Sequence, residues 1–385
     1  MARVRWSIRG GVILLALAAG CGQEGQDGSA TGASGAVLRA DEVAIADGRR
    51  PGTVPPGFVP TPHGWFHPSC VVEVRRGERL RGDVVEATDG ARRALGRCAH
   101  PSYDAQGAER LPQATPPPYI DQGWIEAAET RAGALEWLSA TWTVPLDPAV
   151  AGSQTVYLFP GIVPLATNDT ILQPVLGWNA LRDQRWTIAS WNCCRNGNAL
   201  HSELLTVPAG ADVTGTVAGS GCASDTGVCA TWRIETAATT GGVTVLDTDS
   251  YGEALDRTFA GALEVYAVGE CGQLPASGSV TFRALDARLV GGAPVTTAWT
   301  PDLWSVTPAC SYGVLQDPAA PAVQLRWCAP ATCAGLCGTV TDSCGGTLAC
   351  PACAATGGCR KGTRCCNPGA TQCALCVPTK QACPR

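Results

Sequence analysis

Between Leu138 and Ala284 the chain is a succession of short apolar segments, each closed by Gly, Pro, Asn or Asp. Turn signals recur about every 8–12 residues, the spacing of an antiparallel β-sandwich. No long stretch carries the 3.6-residue apolar period of an amphipathic helix. Strands are expected at Leu138–Val144, Thr155–Phe159, Thr170–Leu176, Trp186–Trp191, Glu203–Val207, Asp212–Val217, Ala230–Glu235, Val243–Leu246, Ala262–Val268 and Ser279–Ala284. Val207 to Asp212, with Pro208 and Gly210, reads as a turn between two of them. The fold class expected is therefore all-β, with enough chain for one sizeable core.

Segments of different character flank this region. Arg3, Arg5 and Arg9 precede an apolar run from Val12 to Ala19, the pattern of an export signal. The run is too short for a permanent membrane span. Ala18-Ala19-Gly20 before Cys21 resembles the lipobox of bacterial lipoproteins. That resemblance implies cleavage after residue 20, acylation of Cys21 and stable attachment to a bacterial envelope membrane, at the outer membrane or cell surface. Residues 21–62 read as a flexible tether, rich in Gly and Ser at first and in proline from Pro51. A small β-unit is expected over 63–111, a proline-rich linker over 112–121, the sandwich over 122–310, a second linker over 311–327 and a cysteine-rich module over 328–385.

Charge and cysteine usage narrow the function classes. The formal charge is −5. Loss of the three arginines with the signal takes it to −8, with no basic run to hold nucleic acid. Setting Cys21 aside leaves 20 of the 21 cysteines, an even number that suits disulfides in an oxidising compartment. Cys70 and Cys98 are expected to pair, as are Cys222 and Cys229 within one hairpin. Cys193 and Cys194 adjoin; a vicinal redox pair and two separate disulfides are both open, and separate bridges are the reading taken. Twelve cysteines lie between Cys328 and Cys383 among few large apolar residues, so that module must be stapled. Cys350/Cys353 and Cys373/Cys376 have zinc-knuckle spacing, but export and the lack of histidine there favour disulfides. His63, His67 and His100 cluster in sequence without metal-ligand spacing and are read as turn or surface residues. No metal and no cofactor is expected.

Two of the predicted strands carry a polar side chain on an apolar face. Alternation puts Ile171, Gln173 and Val175 on one side of the first. It puts Ala262, Glu264, Tyr266 and Val268 on one side of the second. A carboxylate and a carboxamide are costly to bury alone. On a shared face they form a water-activating pair. His201-Ser202 has no nucleophile elbow around it. Phosphate-loop, dinucleotide and His-Glu-x-x-His motifs are absent from the sequence.

From Gly123-Trp124 to Leu289 the order of short motifs resembles the eqolisins, glutamic peptidases with a jelly-roll, concanavalin-like sandwich. Ser139-Ala140-Thr141-Trp142-Thr143-Val144-Pro145 is similar to the family's Ser-Ala-Thr strand, and Thr155 to Gly161 to its Ala-Trp-Val-Gly-Ile-Asp-Gly strand. Thr170-Ile171-Leu172-Gln173, Trp186 to Trp191, Ala262-Leu263-Glu264-Val265-Tyr266 and Gly278 to Phe282 follow in family order. The resemblance implies Glu264 as general base and later acid, and Gln173 as the donor that steadies the oxyanion and the water. Tyr157, Trp186, Trp191 and Tyr266 are then expected to line a substrate groove; Trp178 and Trp232 are open between groove and core. The chain departs from the family at Phe159-Pro160-Gly161-Ile162, where the aspartate is missing, and at Ser190, where an acidic residue is expected. Pro174 after Gln173 implies an edge strand or a bulge. The functions that follow are an acid-active endopeptidase, a non-catalytic peptide- or glycan-binding lipoprotein, or a structural envelope lipoprotein with an adhesive tail.

Overall fold

The computed structural model describes residues 50–111, 123–167, 170–181, 184–304, 310–317 and 320–327, with short pieces at 339–341, 347–349, 363–365 and 376–378. The export signal, Cys21, most of the tether, the linker at 112–121 and most of the cysteine-rich module lie outside the described residues. Of that module, two antiparallel hairpins are described, Thr339–Thr341 with Thr347–Ala349 and Thr363–Cys365 with Cys376–Pro378.

The N-terminal part contributes β1 (Val59–Thr61), β2 (Gly64–Phe66), β3 (Val71–Glu73), β4 (Arg79–Arg81), β5 (Val84–Glu86), β6 (Arg92–Ala94), β7 (Ser102–Tyr103) and β8 (Glu109–Arg110). Next come β9 (Trp124–Thr130), β10 (Leu135–Thr143), β11 (Thr155–Val163), β12 (Ile171–Trp178) and β13 (Trp186–Cys193). Then follow β14 (Ala199–His201), β15 (Leu205–Thr206), β16 (Asp212–Ser220), β17 (Thr231–Ala238) and β18 (Gly242–Thr248). The last are β19 (Arg257–Tyr266), β20 (Ser279–Leu289), β21 (Thr300–Leu303), β22 (Gly313–Asp317) and β23 (Ala322–Arg326). Among the described residues the only helical pieces are three short 3-10 turns. The fold is all-β, a jelly-roll-like antiparallel sandwich.

Two large sheets face each other. One runs β21-β9-β19-β11-β12-β13-β14-β3, with β15 also on β13; the other runs β22-β23-β20-β10-β16-β17-β18-β4-β5-β6. Between them Val156, Leu158, Leu176, Ile188 and Leu263 pack on Trp142, Val213 and Phe282. Trp232 and Ile234 meet Leu172 and Ile162 further along. Several polar side chains that face this interior are paired across it. Ser190 Oγ lies 3.0 Å from Thr236 Oγ1, and Asn192 Nδ2 donates to Thr248 Oγ1 at 2.6 Å. These bonds join β13 to the opposite sheet, because a buried hydroxyl or amide without a partner is costly.

The N-terminal residues do more than tether. β3 adds in parallel to β14, and β4 meets β18 in parallel at Arg79 and Asp247, so this part extends the same end of both sheets. A separate small sheet, β1-β2-β7-β8, lies on the outer face of the first large sheet. Its Val59, Trp65 and Phe66 join Tyr157, Phe159, Trp191, Phe259 and Tyr266 in one buried apolar cluster. The molecule therefore has a third layer over the face that carries Gln173 and Glu264. The strand β1 falls in the stretch read as tether, and β22 and β23 fall in the stretch read as linker. Both belong to the folded body because each pairs along its length with a neighbour.

Disulfides link Cys70 to Cys98, Cys222 to Cys229 and Cys271 to Cys310. Cys193 and Cys194 are bonded to each other, not to separate partners. At the end of β13 no third cysteine among the described residues joins them.

Sequence reasoning passed over Glu126, which β9 buries between the sheets. Gly313 N donates to its Oε2 at 2.7 Å. Burial raises its pKa to about 9, against the lowering influence of that bond and of Arg326. Between the unfolded value of 4.5 and about 9, the folded chain keeps a proton that the unfolded chain has lost. Stability therefore falls as pH rises through that window. Glu126→Gln is expected to gain on the parent by on the order of a few kcal/mol between pH 4 and pH 8 in denaturant titrations. An equal difference at both pH values would contradict this.

Candidate active site

β19 is central in its sheet, between β11 and β9, and it presents Glu264 to the third layer. The same alternation puts Tyr266 beside it. The flanking strands place Tyr157 opposite Glu264 on one side and Trp124 on the other. Trp124 Nε1 donates to Glu264 Oε2 at 3.1 Å. The Tyr266 hydroxyl donates to Glu264 Oε1. Tyr157 OH, by contrast, donates outward to Pro60 O at 2.9 Å. Burial first, and the Glu264 carboxylate next, push both tyrosines well above the usual phenol range, so each remains a neutral donor.

This packing leaves no room for a side chain at Gly123. A Cβ there would stand 3.0 Å from Glu264 Oε1 and 3.1 Å from Tyr266 OH, and its φ is +140°. Glycine therefore suits this position both conformationally and sterically.

Gln173 occupies β12 with its side chain on the same outer face, between Ile171 and Val175 of the same apolar cluster. Trp191 of β13 lies across from it. Gln173 and Glu264 are both 0% exposed. Neither amide atom of Gln173 has a hydrogen-bond partner among the described residues. An orphaned amide in such a place costs about 1–3 kcal/mol.

The strand register sets how the two residues relate. Glu264 pairs with Tyr157 of β11, while Leu158 and Ile162 of β11 pair with Leu176 and Leu172 of β12, which brings Gln173 opposite Gly161. The two backbones are thus two strands, about 10 Å, apart and offset by four residues, about 13 Å. Phe159 stands on the diagonal between them, on the same face. Pro174 does not mark an edge, because β12 lies between β11 and β13. Pro160 and Pro174 are instead opposed where the β11–β12 ladder has no pairs. Neither proline has an N–H to offer, so the ladder opens there. A bulge between Phe159 and Gly161 in the pairing with β19 accompanies this gap.

The expected groove residues divide. Tyr157, Trp191 and Tyr266 face the third layer with Glu264 and Gln173. Trp186 faces the interior of the sandwich against Trp178, at 5.5 Å between rings, because it is an odd number of residues from Trp191. Trp232 is also interior. An open, solvent-filled cleft is not what the structure shows: the small sheet covers this face. Open depressions lie elsewhere, one beside Arg76, Glu203 and Arg233 and another beside Thr143 and Arg283.

The histidines also differ from expectation. His67 and His100 stack at 3.6 Å. His63 sits in the β1–β2 turn but is buried, 6.2 Å from the Trp191 ring. Its ring is near the sulfurs of Cys193 and Cys194. Those sulfurs are bonded to each other and so are not thiolate ligands, which leaves no built metal set at this place. The residues that sequence reasoning missed are Trp124 as a carboxylate partner, Phe159 as a divider, and the covering hairpin Val59–Phe66. The hairpin had one signal: aromatic Trp65 and Phe66 amid a Pro- and Gly-rich stretch.

No protein-family model and no curated protein sequence matches this chain. Among solved structures, scytalido-glutamic peptidase with a peptide-based transition-state analog aligns at TM-score 0.38 and 14% identity, over 53% of this chain and 98% of that chain. The same peptidase with a transition-state analog inhibitor aligns at TM-score 0.39 and 14% identity, over 54% and 98%. SCP-B, a member of the Eqolisin family of peptidases, in complex with the tripeptide Ala-Ile-His, aligns at 0.38 and 14%, over 53% and 98%. Similarity of this degree assigns no activity and no site residue.

Gly123→Ala is expected to lower stability by about 1–3 kcal/mol through strain at positive φ and contact with the carboxylate. Chemical denaturation checks this; an unchanged midpoint would show that Glu264 and Tyr266 are not packed against Gly123.

Proposed function

We propose that the chain is an exported, lipid-anchored protein whose sandwich is an acid-active endopeptidase of glutamic type, with Glu264 and Gln173 as its polar pair. The observation that carries this reading is a carboxylate fully buried among aromatic rings, held by two neutral donors, on the same sheet face as an unpartnered carboxamide. Neutral donors orient a carboxylate without quenching it as a base. Glu264 takes a proton from water as the oxygen attacks a peptide carbonyl, and the carbonyl oxygen becomes an oxyanion. The Gln173 amide donates to that oxyanion without titrating. The C–N bond then breaks as Glu264 returns the proton to the leaving amine. In the covered state Trp124 and Tyr266 hold the carboxylate.

Catalysis on this site requires two things: the small sheet must leave the face, and both long side chains must lean over Phe159 to reach one water. The offset of the two strands favours a second reading, a peptide-binding cleft without hydrolysis, in which the same residues are polar contacts. Disulfide-intact protein is expected to hydrolyse casein between about pH 3 and 5, with Glu264→Gln inactive and Gln173→Ala about 10²–10³ lower in kcat. Peptide binding without hydrolysis across that range would replace the first reading by the second.

Attachment to the membrane through Cys21 rests on the lipobox-like sequence. Cys21→Ser is expected to move the protein from the membrane fraction to the soluble fraction and to abolish labelling by an alkynyl fatty acid. Retention with the membrane would contradict it.

A further inference from the structure

We propose that the hairpin Val59–Phe66 is an occupant, in the same chain, of the cleft over Glu264 and Gln173, seated at neutral pH and released by acid. The inference rests on the reading of this face as a peptide-binding surface; it does not require that the face be catalytic.

The hairpin makes no backbone-to-backbone pairing with the face it covers. β1 and β2 pair with each other and with β7, and the small sheet shares no backbone ladder with either large sheet. Release therefore breaks no strand pairing of the sandwich. The contacts that hold it fall on the proposed site. Pro60 O accepts from Tyr157 OH at 2.9 Å, where a substrate carbonyl would be bound. Trp65, the cross-strand partner of Pro60, packs edge-on against Tyr266 at 5.6 Å between rings. His63, at the turn, reaches the Trp191 side of the face, next to Gln173. An extended stretch of the chain itself thus spans from the carboxylate's neighbours to the carboxamide's neighbour. The anchors of the N-terminal part are elsewhere, at β3 on β14 and β4 on β18, and the Cys70–Cys98 bridge closes within this part. Opening can be confined to the small sheet while those anchors hold.

The chemistry of the turn gives the pH dependence its sign. His63 is wholly buried, and both ring nitrogens lack a hydrogen-bond partner among the described residues. Burial, and then the charge of Arg110, hold its pKa well below the ordinary 6.5. Arg110 belongs to the small sheet, and its Nη1 donates to His63 O at 3.1 Å. Tyr103 of the same sheet abuts Gly64, His201 packs on the Trp191 ring that His63 also meets, and Tyr157 and Tyr266 meet Pro60 and Trp65 of the hairpin, with Glu264 bonded to Tyr266; the Cys193–Cys194 disulfide does not titrate. In the seated form His63 stays neutral, whereas a released His63 takes a proton near its ordinary pKa. The seated form therefore has its full stability above about pH 6.5 and loses it as pH falls further. Acid uncovers the face in the range where the proposed chemistry operates.

Hydrogen–deuterium exchange of the full, disulfide-intact chain at pH 7.5 and 4.5, corrected for intrinsic rates, tests this. Protection of 58–66 is expected to fall at least tenfold at pH 4.5, while that of 231–248 in β17 and β18 stays constant. His63→Asn is expected to remove the acid response. Trp65→Ala, with 231–248 still protected, is expected to bind a synthetic peptide of residues 57–62 at pH 7.5 where the parent does not. Protection of 58–66 that is unchanged by pH, or an acid response that survives in His63→Asn, would overturn the proposal. None of these readouts depends on hydrolysis, so a failure of catalysis leaves them interpretable.

Discussion

A carboxylate sealed under a layer of aromatic rings is the constraint around which this structure is arranged. Glu264 sits near the C-terminal end of a central strand, where burying an ionisable group is expensive unless its oxygens are met. Trp124 and Tyr266 meet them. Glycine at 123 makes the space, and the Tyr157 hydroxyl turns outward to Pro60 O. The neighbouring strands β9 and β11 are held close by this set of contacts. The outer face of that sheet also carries large aromatic side chains, Tyr157, Phe159, Trp191 and Phe259 among them. Such a face must be covered or occupied, and the small N-terminal sheet does the covering.

The covering layer is joined to the body in two physically distinct ways. At the sheet ends, backbone pairing of β3 and β4 adds strands to existing ladders and leaves no ready point of release. Over the site, Pro60, His63 and Trp65 rest on side chains only. The firm attachment keeps the loose element near the site, so that its local concentration there remains high. A neutral buried histidine at the tip then makes the loose contact sensitive to acid, while the body, joined by backbone hydrogen bonds and disulfides, is not built around that titration.

Much of the sandwich was legible because strand period and turn chemistry are local signals. Gln173, Glu264 and Tyr266 fall on one face by simple alternation, and so they do in the structure. Trp186 could have been removed from the groove on the same count, since it alternates opposite to Trp191. Other features depend on contacts distant in sequence. The Trp124 bond to Glu264 spans 140 residues, and no local pattern announces it. Pro174 read as an edge residue or a bulge because a single proline ordinarily interrupts a ladder; the opposed Pro160 explains how both are accommodated within a sheet. Cys193 and Cys194 had too many cysteines available as partners for sequence to choose among them. Proline and glycine around the hairpin suggested a tether, whereas its few aromatic residues find their partners only on the folded face.

The most direct measurement is hydroxyl-radical footprinting of the intact chain at pH 7.5 and 4.5, read by mass spectrometry at Tyr157, Trp65 and Tyr266, with Trp142 and Phe282 as interior standards. The account predicts that all five are protected at pH 7.5 and that Trp65, Tyr157 and Tyr266 alone become oxidised at pH 4.5. Oxidation of Tyr266 at pH 7.5, or its full protection at both pH values, would contradict it.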